Sequence, residues 1–331
     1  MSGAEVEPSA AGIDRLVPFR VPMRVRFRRT DERHGVLLHG PAGWGEFSPF
    51  PEYGPEYASL WLDAAREAAV DGFPAAVRDR VPVNTTVPAV DADRAHDLVR
   101  RSGCATAKVK VAEPGQVLAD DVERVAAVRD ALGPEGHLRI DVNGAWDVET
   151  ALLSLARLSR YDLEYVEQPC ATLDELAEVR RRGDVRVAAD ESIRTAADPV
   201  RAARAGAVDV LVLKVQPLGG VRRALEVAVD AGVPTVVSSA LETSVGLAAG
   251  VAFAAALPEL PFACGLGTGT LLASDVVVDP LVPLDGQLPV RRPEPDAALL
   301  AQHAPDPDTG VALLERMAAA DAAGRRRRGA T

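Results

Sequence analysis

The sequence predicts an α/β fold, a TIM-like (β/α) barrel with an α+β N-terminal capping domain, on two observations. The first is a repeat. From about residue 84 to about 270 the chain alternates a short β-rich run, a polar turn and a segment of helical spacing. The eight runs are 83–87, 107–111, 138–142, 163–167, 185–190, 208–214, 234–238 and 262–266. Several are nearly continuous in Val, Ile and Leu, as strands buried on both faces are. Such an alternation fits an open doubly wound sheet or a closed barrel. No glycine-rich phosphate loop follows the first run, which counts against the dinucleotide-binding form of the open sheet. The second observation is that five consecutive runs end in a charged side chain, as expected of strands that open onto a barrel mouth.

Between the sixth and seventh runs, Val221, Ala224, Leu225, Ala228 and Val229 recur with the spacing of one helix face. Asp147 is placed to cap a helix carrying Leu152, Leu155 and Leu158. The first 80 residues differ: 19–29 and 35–47 read as antiparallel strands and 58–69 as a helix. The capping domain is therefore expected from residues 1–82 together with about 285–331, and the barrel from 83–284. The Pro- and Ala-rich C-terminal stretch is expected to pack back on the capping domain and then fray.

Composition narrows the function. The 331 residues carry a formal net charge of −11, with 47% hydrophobic and 26% charged residues. That balance disfavours nucleic acid or an anionic membrane as a partner, since phosphate recognition needs clustered Lys and Arg. The one basic run, 325–328, reads as a solvated, disordered end. Cys104, Cys170 and Cys264 are far apart with no CxxC pair, which argues for core thiols in a reducing cytoplasm rather than disulfides or a zinc site. Residues 1–14 lack the basic and apolar regions of a signal peptide. The longest apolar stretch, 245–257, is too short to span a bilayer.

The strand ends carry the chemistry. Lys110 closes the second run, Asp141 the third, Glu167 the fourth, Asp190 the fifth and Lys214 the sixth. Each charge lies one β/α unit after the last, at gaps of 31, 26, 23 and 24 residues (110, 141, 167, 190, 214). All five should converge at the C-terminal mouth. Three adjacent carboxylates repel one another unless a cation lies between them. Oxygen-only ligation suits a hard ion such as Mg²⁺, with Mn²⁺ as a substitute, and no histidine stands at a strand end to favour zinc. A lysine beside that cation and a second ammonium is expected to titrate below the free value of about 10.4 and to serve as a base. A metal-bound carboxylate next to such a base suits removal of an α-proton. Asn143 either orients a ligand or turns the chain. Glu191 is read as a cap or supporting group, and His34, His39, His96, His137 and His303 receive no role.

The ordered set AKVK, DVNGAW, EQP, DES and the lysine of VLK resembles the enolase superfamily, and within it the muconate lactonizing branch, which has a lysine on each side of the metal. The resemblance spans essentially the whole chain, including a GWGEF segment at 43–47. It implies Asp141, Glu167 and Asp190 as metal ligands, Lys110 and Lys214 on opposite faces of a small carboxylate substrate, and Lys108 assisting Lys110. The last runs lack the DxD element of the dipeptide epimerases and the histidine base of the mandelate racemases. Ser238 and Ser239, then Gly265, Gly267 and Thr268, resemble the o-succinylbenzoate synthases of that branch. Hydroxyls, backbone N–H groups and a helix start near Glu242 suit a second carboxylate. The implied reaction is an Mg²⁺-dependent dehydration. N-acylamino acid racemase and cycloisomerase remain as alternatives, as does, from outside catalysis, a metal-binding scaffold. Arg20, Met23, Arg24 and Phe50 are the capping residues with a prospect of reaching the substrate. Oligomeric state is not legible.

Overall fold

The structure, a computed structural model, describes residues 12–27, 30–194 and 198–329. The signal-peptide reading of 1–14 falls largely outside these residues, as does the end of the first predicted strand at Arg29.

The N-terminal unit is a three-stranded antiparallel sheet in the order β1 (Arg15–Phe27), β2 (Thr30–Gly40) and β3 (Gly43–Phe47). Helix α1 (Pro55–Arg66) lies against it and runs into a π-helical turn, Glu67–Asp71. Their apolar faces meet around Val36, Leu38, Phe47, Trp61 and Leu62, all nearly inaccessible. A short strand, β4 (Arg80–Pro82), then leads to the barrel.

The barrel strands are β5 (Thr85–Val87), β6 (Thr106–Lys110), β7 (His137–Asp141), β8 (Leu163–Glu167), β9 (Val187–Ala189), β10 (Val210–Leu213) and β11 (Thr235–Val237), parallel and adjacent in sequence order. Between them run α2 (Ala92–Ser102), α3 (Leu118–Leu132), α4 (Val148–Leu158), α5 (Leu173–Arg182), α6 (Asp198–Arg204), the short α7 (Val215–Leu218) and α8 (Val221–Ala231), with α9 (Ser244–Ala256) after the last strand. Side-chain caps start several of these helices. Asp91 accepts from the Arg94 amide, Asp147 from the Thr150 amide at 2.7 Å, and Thr172 and Glu175 form a reciprocal capping box. The Asp147 cap and the buried Leu155 and Leu158 match expectation. On α8, however, Val229 is 74% exposed and Val227 takes its place in the buried stripe with Val221 and Ala224. The helix needs only that narrow stripe because α6 and α9 flank it.

The eighth run, 262–266, forms no ladder of its own. It closes the barrel through single parallel bridges, Val83 to Cys264 on one side and Ser238 to Gly265 on the other. The Asn84 amide donates to the Cys264 carbonyl at 2.9 Å and the Gly265 amide to the Val237 carbonyl at 2.8 Å. All three cysteines are buried free thiols, as expected of core fillers.

After the barrel, β12 (Gln287–Pro289) pairs antiparallel with β4, and α10 (Ala297–Gln302) and α11 (Pro307–Gly329) return to the N-terminal unit. The expected fraying is corrected here. The arginine run is the last turns of α11, which packs along α1 through Ala320, Ala323 and Gly324. Arg327 bonds Ser59 Oγ at 2.5 Å and pairs with Asp63; Arg328 reaches Asp63 at 2.8 Å and Arg325 reaches Asp321 at 2.5 Å. The run faces an acidic edge of α1 far away in sequence, so charge complementarity orders it. Among the described residues no helix is long and apolar enough to cross a membrane.

Candidate active site

The parallel ladder sets the ends of adjacent strands level: Lys110 is in register with Asp141, and Asp141 with Glu167. Asp190 and Lys214 follow β9 and β10 directly. All five side chains are buried, with 1–8% of each residue exposed. They are interleaved by sign. Lys108 Nζ lies 3.0 Å from Asp141 and 2.6 Å from Glu167, and Lys110 Nζ lies 2.6 Å from Asp141 and also donates to Asn143 Oδ1. Lys214 pairs with Asp190, and Arg194 lies 3.4 Å from Asp190 and 2.8 Å from Glu191.

These pairings set the protonation states. Burial opposes ionisation of Asp141, but Lys108 and Lys110 outweigh it and hold the carboxyl well below its usual range. Burial likewise opposes ionisation of Asp190, and Lys214 and Arg194 outweigh it. Glu167 goes the other way: burial, then the charge of Asp141, push it up to about 7. Burial, reinforced by Arg194, lowers the Lys214 ammonium. Lys108 is buried too, but Asp141 and Glu167 raise it well above the ordinary lysine value. The expected downward shift therefore falls on Lys214, while Lys108 stays charged between two carboxylates.

One cavity of ≈ 50 Å³ lies over this cluster, room for a few waters. Lys108, Lys110, Asp141, Asn143, Asp190, Glu191 and Lys214 line its charged side; Ser238, Ser239, Gly265 and Thr268 face them. Thr86, Ala240, Leu241 and Phe50 complete the wall. Ser239 Oγ and Thr268 Oγ1 lie 2.6 Å apart, and Gly265 stays bare because a Cβ would fall 2.7 Å from Ser238 Oγ. Gly267 stands outside the cavity, where a Cβ would come within 2.9 Å of the Asn84 carbonyl. Of the capping residues, only Phe50 reaches the wall. Arg20 pairs with Glu32 at 2.6 Å on the exposed side of the sheet, Met23 bridges to Leu272, and Arg24 is exposed. Asn143, with φ of 51°, both turns the chain and bonds Lys110 and Glu191. Thr86 and Leu241 escaped the sequence reading because neither stands at a charged strand end. The hydroxyl of Thr86, in the first strand, was the only available cue.

Comparison with known proteins places this arrangement. Residues 18–69 match the model of the enolase N-terminal domain-like family, and residues 91–296 that of the enolase C-terminal domain-like family. The chain belongs to the enolase superfamily. It is similar to an o-succinylbenzoate synthase of Thermobifida fusca, 63% identical over 305 residues, or 92% of this chain and 95% of that one. It is 55% identical to an o-succinylbenzoate synthase of Mycolicibacterium smegmatis over 89% of this chain and 92% of that one. Among solved structures, a muconate lactonizing enzyme from Pseudomonas fluorescens complexed with muconolactone superposes with a TM-score of 0.76 at 21% identity, over 90% of this chain and all of that one; this likeness concerns the fold.

Membership in the enolase superfamily brings dependence on a divalent metal. Among the described residues no group of three acidic, histidine or cysteine side chains converges closely enough to hold a metal as it stands. The reason is the ammonium groups between the carboxylates: Lys108 bridges Asp141 and Glu167 where a cation would balance them. The donor set of three buried carboxylates on adjacent strand ends, its gap already filled by a cationic group, fits a hard divalent ion.

Proposed function

We propose that the chain is an o-succinylbenzoate synthase, a lyase converting 2-succinyl-6-hydroxy-2,4-cyclohexadiene-1-carboxylate to 2-succinylbenzoate and water in menaquinone biosynthesis. The observation that carries this reading is the cavity, with Lys108, Lys110 and Lys214 facing a wall of hydroxyls, in a chain 63% identical to an o-succinylbenzoate synthase along almost its full length. Asp141, Glu167 and Asp190 would hold the metal, Mg²⁺ with Mn²⁺ as a substitute, which would supply positive charge to bind the ring carboxylate and offset charge developing on it.

Lys110 takes the ring proton α to the carboxylate and returns a proton to the departing hydroxyl. Proton and hydroxyl leave from one face, and the ring becomes aromatic. Asp141 and Asn143 hold the Lys110 ammonium group in place. Lys214 follows β10, separated from β6 by three strands, and so faces the ring from the other side of the barrel. It stabilises the anion without transferring a proton. Lys108, held charged by two carboxylates, supports Lys110 electrostatically rather than acting as a base. Ser238, Ser239, Gly265 and Gly267 belong to the segment that receives the succinyl tail, Gly267 by shaping the backbone. Residues 1–82 with about 285–331 form the cap, a division supported by the pairing of β4 with β12. The reading also entails a cytoplasmic location.

Ultraviolet absorbance of the purified protein with the cyclohexadiene substrate tests the proposal. Rapid loss of the diene band with Mg²⁺, abolished by chelator, is the expected result; a folded, metal-loaded protein that leaves the band unchanged rejects it. The two lysines in one cavity also suit one base per face, as in racemisation of N-acylamino acids, which would appear as solvent deuterium at the substrate α-carbon. Glu167→Gln is expected to lower Mg²⁺ affinity about 10–100-fold by calorimetry. Unchanged affinity would remove Glu167 from the metal shell.

A further inference from the structure

We infer that Arg33, a residue of the cap that does not line the cavity, is the positioning residue that sets the cap-side wall of the active site and thereby substrate affinity. Arg33 lies in β2 and is 2% exposed. Its guanidinium joins two walls built by different units. From the barrel, Nε donates to the Leu241 carbonyl at 2.9 Å and Nη2 to the Ala240 carbonyl at 3.3 Å. From the cap, Nη2 also donates to the Ser48 carbonyl at 2.5 Å, and the guanidinium lies 4.2 Å over the ring of Phe50. Phe50, Ala240 and Leu241 all line the cavity.

The barrel segment needs this support. Leu241 has φ of 62°, a left-handed conformation that costs a branched apolar residue free energy and persists only when its surroundings hold it. Local bonds help: the Ala240 amide donates to Glu242 and the Leu241 amide to Ser239 Oγ at 3.4 Å. A second tie from the cap lies one turn further on. Glu46 accepts from the Thr243 hydroxyl at 2.5 Å and from the Gly246 amide at 3.0 Å, at the start of α9. That tie fixes the helix, whereas Arg33 grips the carbonyls of Ala240 and Leu241 in the wall itself. A planar, forked cation suits three carbonyls and a ring; a lysine ammonium has neither the fork nor the stacking face. The bonds of Arg33 given above end on Ser48, Ala240, Leu241 and Phe50 at the cap-side wall, so its removal should act on binding rather than on proton transfer.

This inference rests on the proposed dehydration for its kinetic readout and has a structural one that does not. Arg33→Lys and Phe50→Leu are compared with the parent, singly and together, in the metal-loaded full chain. Each single variant is expected to raise KM about tenfold with kcat within about threefold, the pattern of lost uniform binding. The double variant should lose little more, because the two residues act as one unit. Amide hydrogen exchange across 239–243 should accelerate in Arg33→Lys while the barrel strands exchange as in the parent. Absence of turnover in the parent would reject the proposed function and leave the exchange result to decide the role of Arg33. Parent-like exchange, a parent-like KM, or fully additive losses would each overturn it. Arg33→Gln provides the same readouts if Arg33→Lys does not fold.

Discussion

Lys110→Ala loses turnover by about 10⁴-fold while folding as the parent does and binding metal at least as well, because one side chain is removed from two proton transfers. A single positioned acid or base contributes about 10²–10⁴-fold, and Lys110 serves in both capacities. The variant should fold: Lys110 is the last residue of β6, and Asp141 keeps Lys108 at 3.0 Å as a partner. Metal affinity should hold or rise, since a competing ammonium leaves the carboxylates. Lys110→Arg should be nearly as inactive, because a guanidinium does not surrender its proton near neutral pH. Steady-state rates from the diene assay, with calorimetry for the metal, check both. A near-parental rate would end the assignment of Lys110 as the base. Lys214→Ala separates the dehydration from its rival. An electrostatic role should leave measurable turnover and no deuterium exchange into N-acylamino acids, whereas a two-base racemase would lose its activity with either lysine.

The charged cluster was legible in the sequence because barrel architecture converts spacing into convergence. A charge one β/α unit after another must arrive at the same mouth, and Lys110, Asp141, Glu167, Asp190 and Lys214 do. Features that depend on contacts between distant segments were less legible. The arginines of 325–328 looked like a loose end because, apart from Asp321 beside Arg325, their partners are distant in sequence; Ser59 and Asp63, which hold Arg327 and Arg328, lie more than 260 residues away. Val229 kept helical period with Val221 but lies on the side of α8 that no neighbour covers. Lys108 was expected only to assist Lys110, and its upward shift was not legible, because that shift depends on its lying between Asp141 and Glu167. Arg33 gave no signal, since a charge inside an amphipathic strand ordinarily faces water.

Arg139→Ala should cost about 3–5 kcal/mol of stability, the range for breaking a buried ion pair by removing one partner. Arg139, in the middle of β7, is fully inaccessible. Nε meets Glu164 on β8 at 2.5 Å, and Nη1 meets the Ala263 carbonyl at 2.7 Å and Asn84 Oδ1 at 3.3 Å. The guanidinium also lies 4.7 Å over Tyr165 and 5.8 Å over Phe262. It therefore ties β7 and β8 to the eighth run and to the residue before β5, across the seam where the barrel closes by single bridges alone. Truncation would leave the Glu164 carboxylate and the Ala263 carbonyl short of a donor and open a void between two rings. Arg139→Met with Glu164→Leu should recover most of the loss, because the pair is then replaced by apolar volume. Urea unfolding measures both, and a cost below about 1 kcal/mol for Arg139→Ala would show that the seam does not depend on this residue. Arg139 lies two residues before Asp141 and points toward the end of the barrel away from the mouth, where its bonds are to Glu164 and Ala263. Below the unfolding transition the variant should therefore keep parental kcat and KM, which separates the residue that closes the barrel from those that work at its mouth.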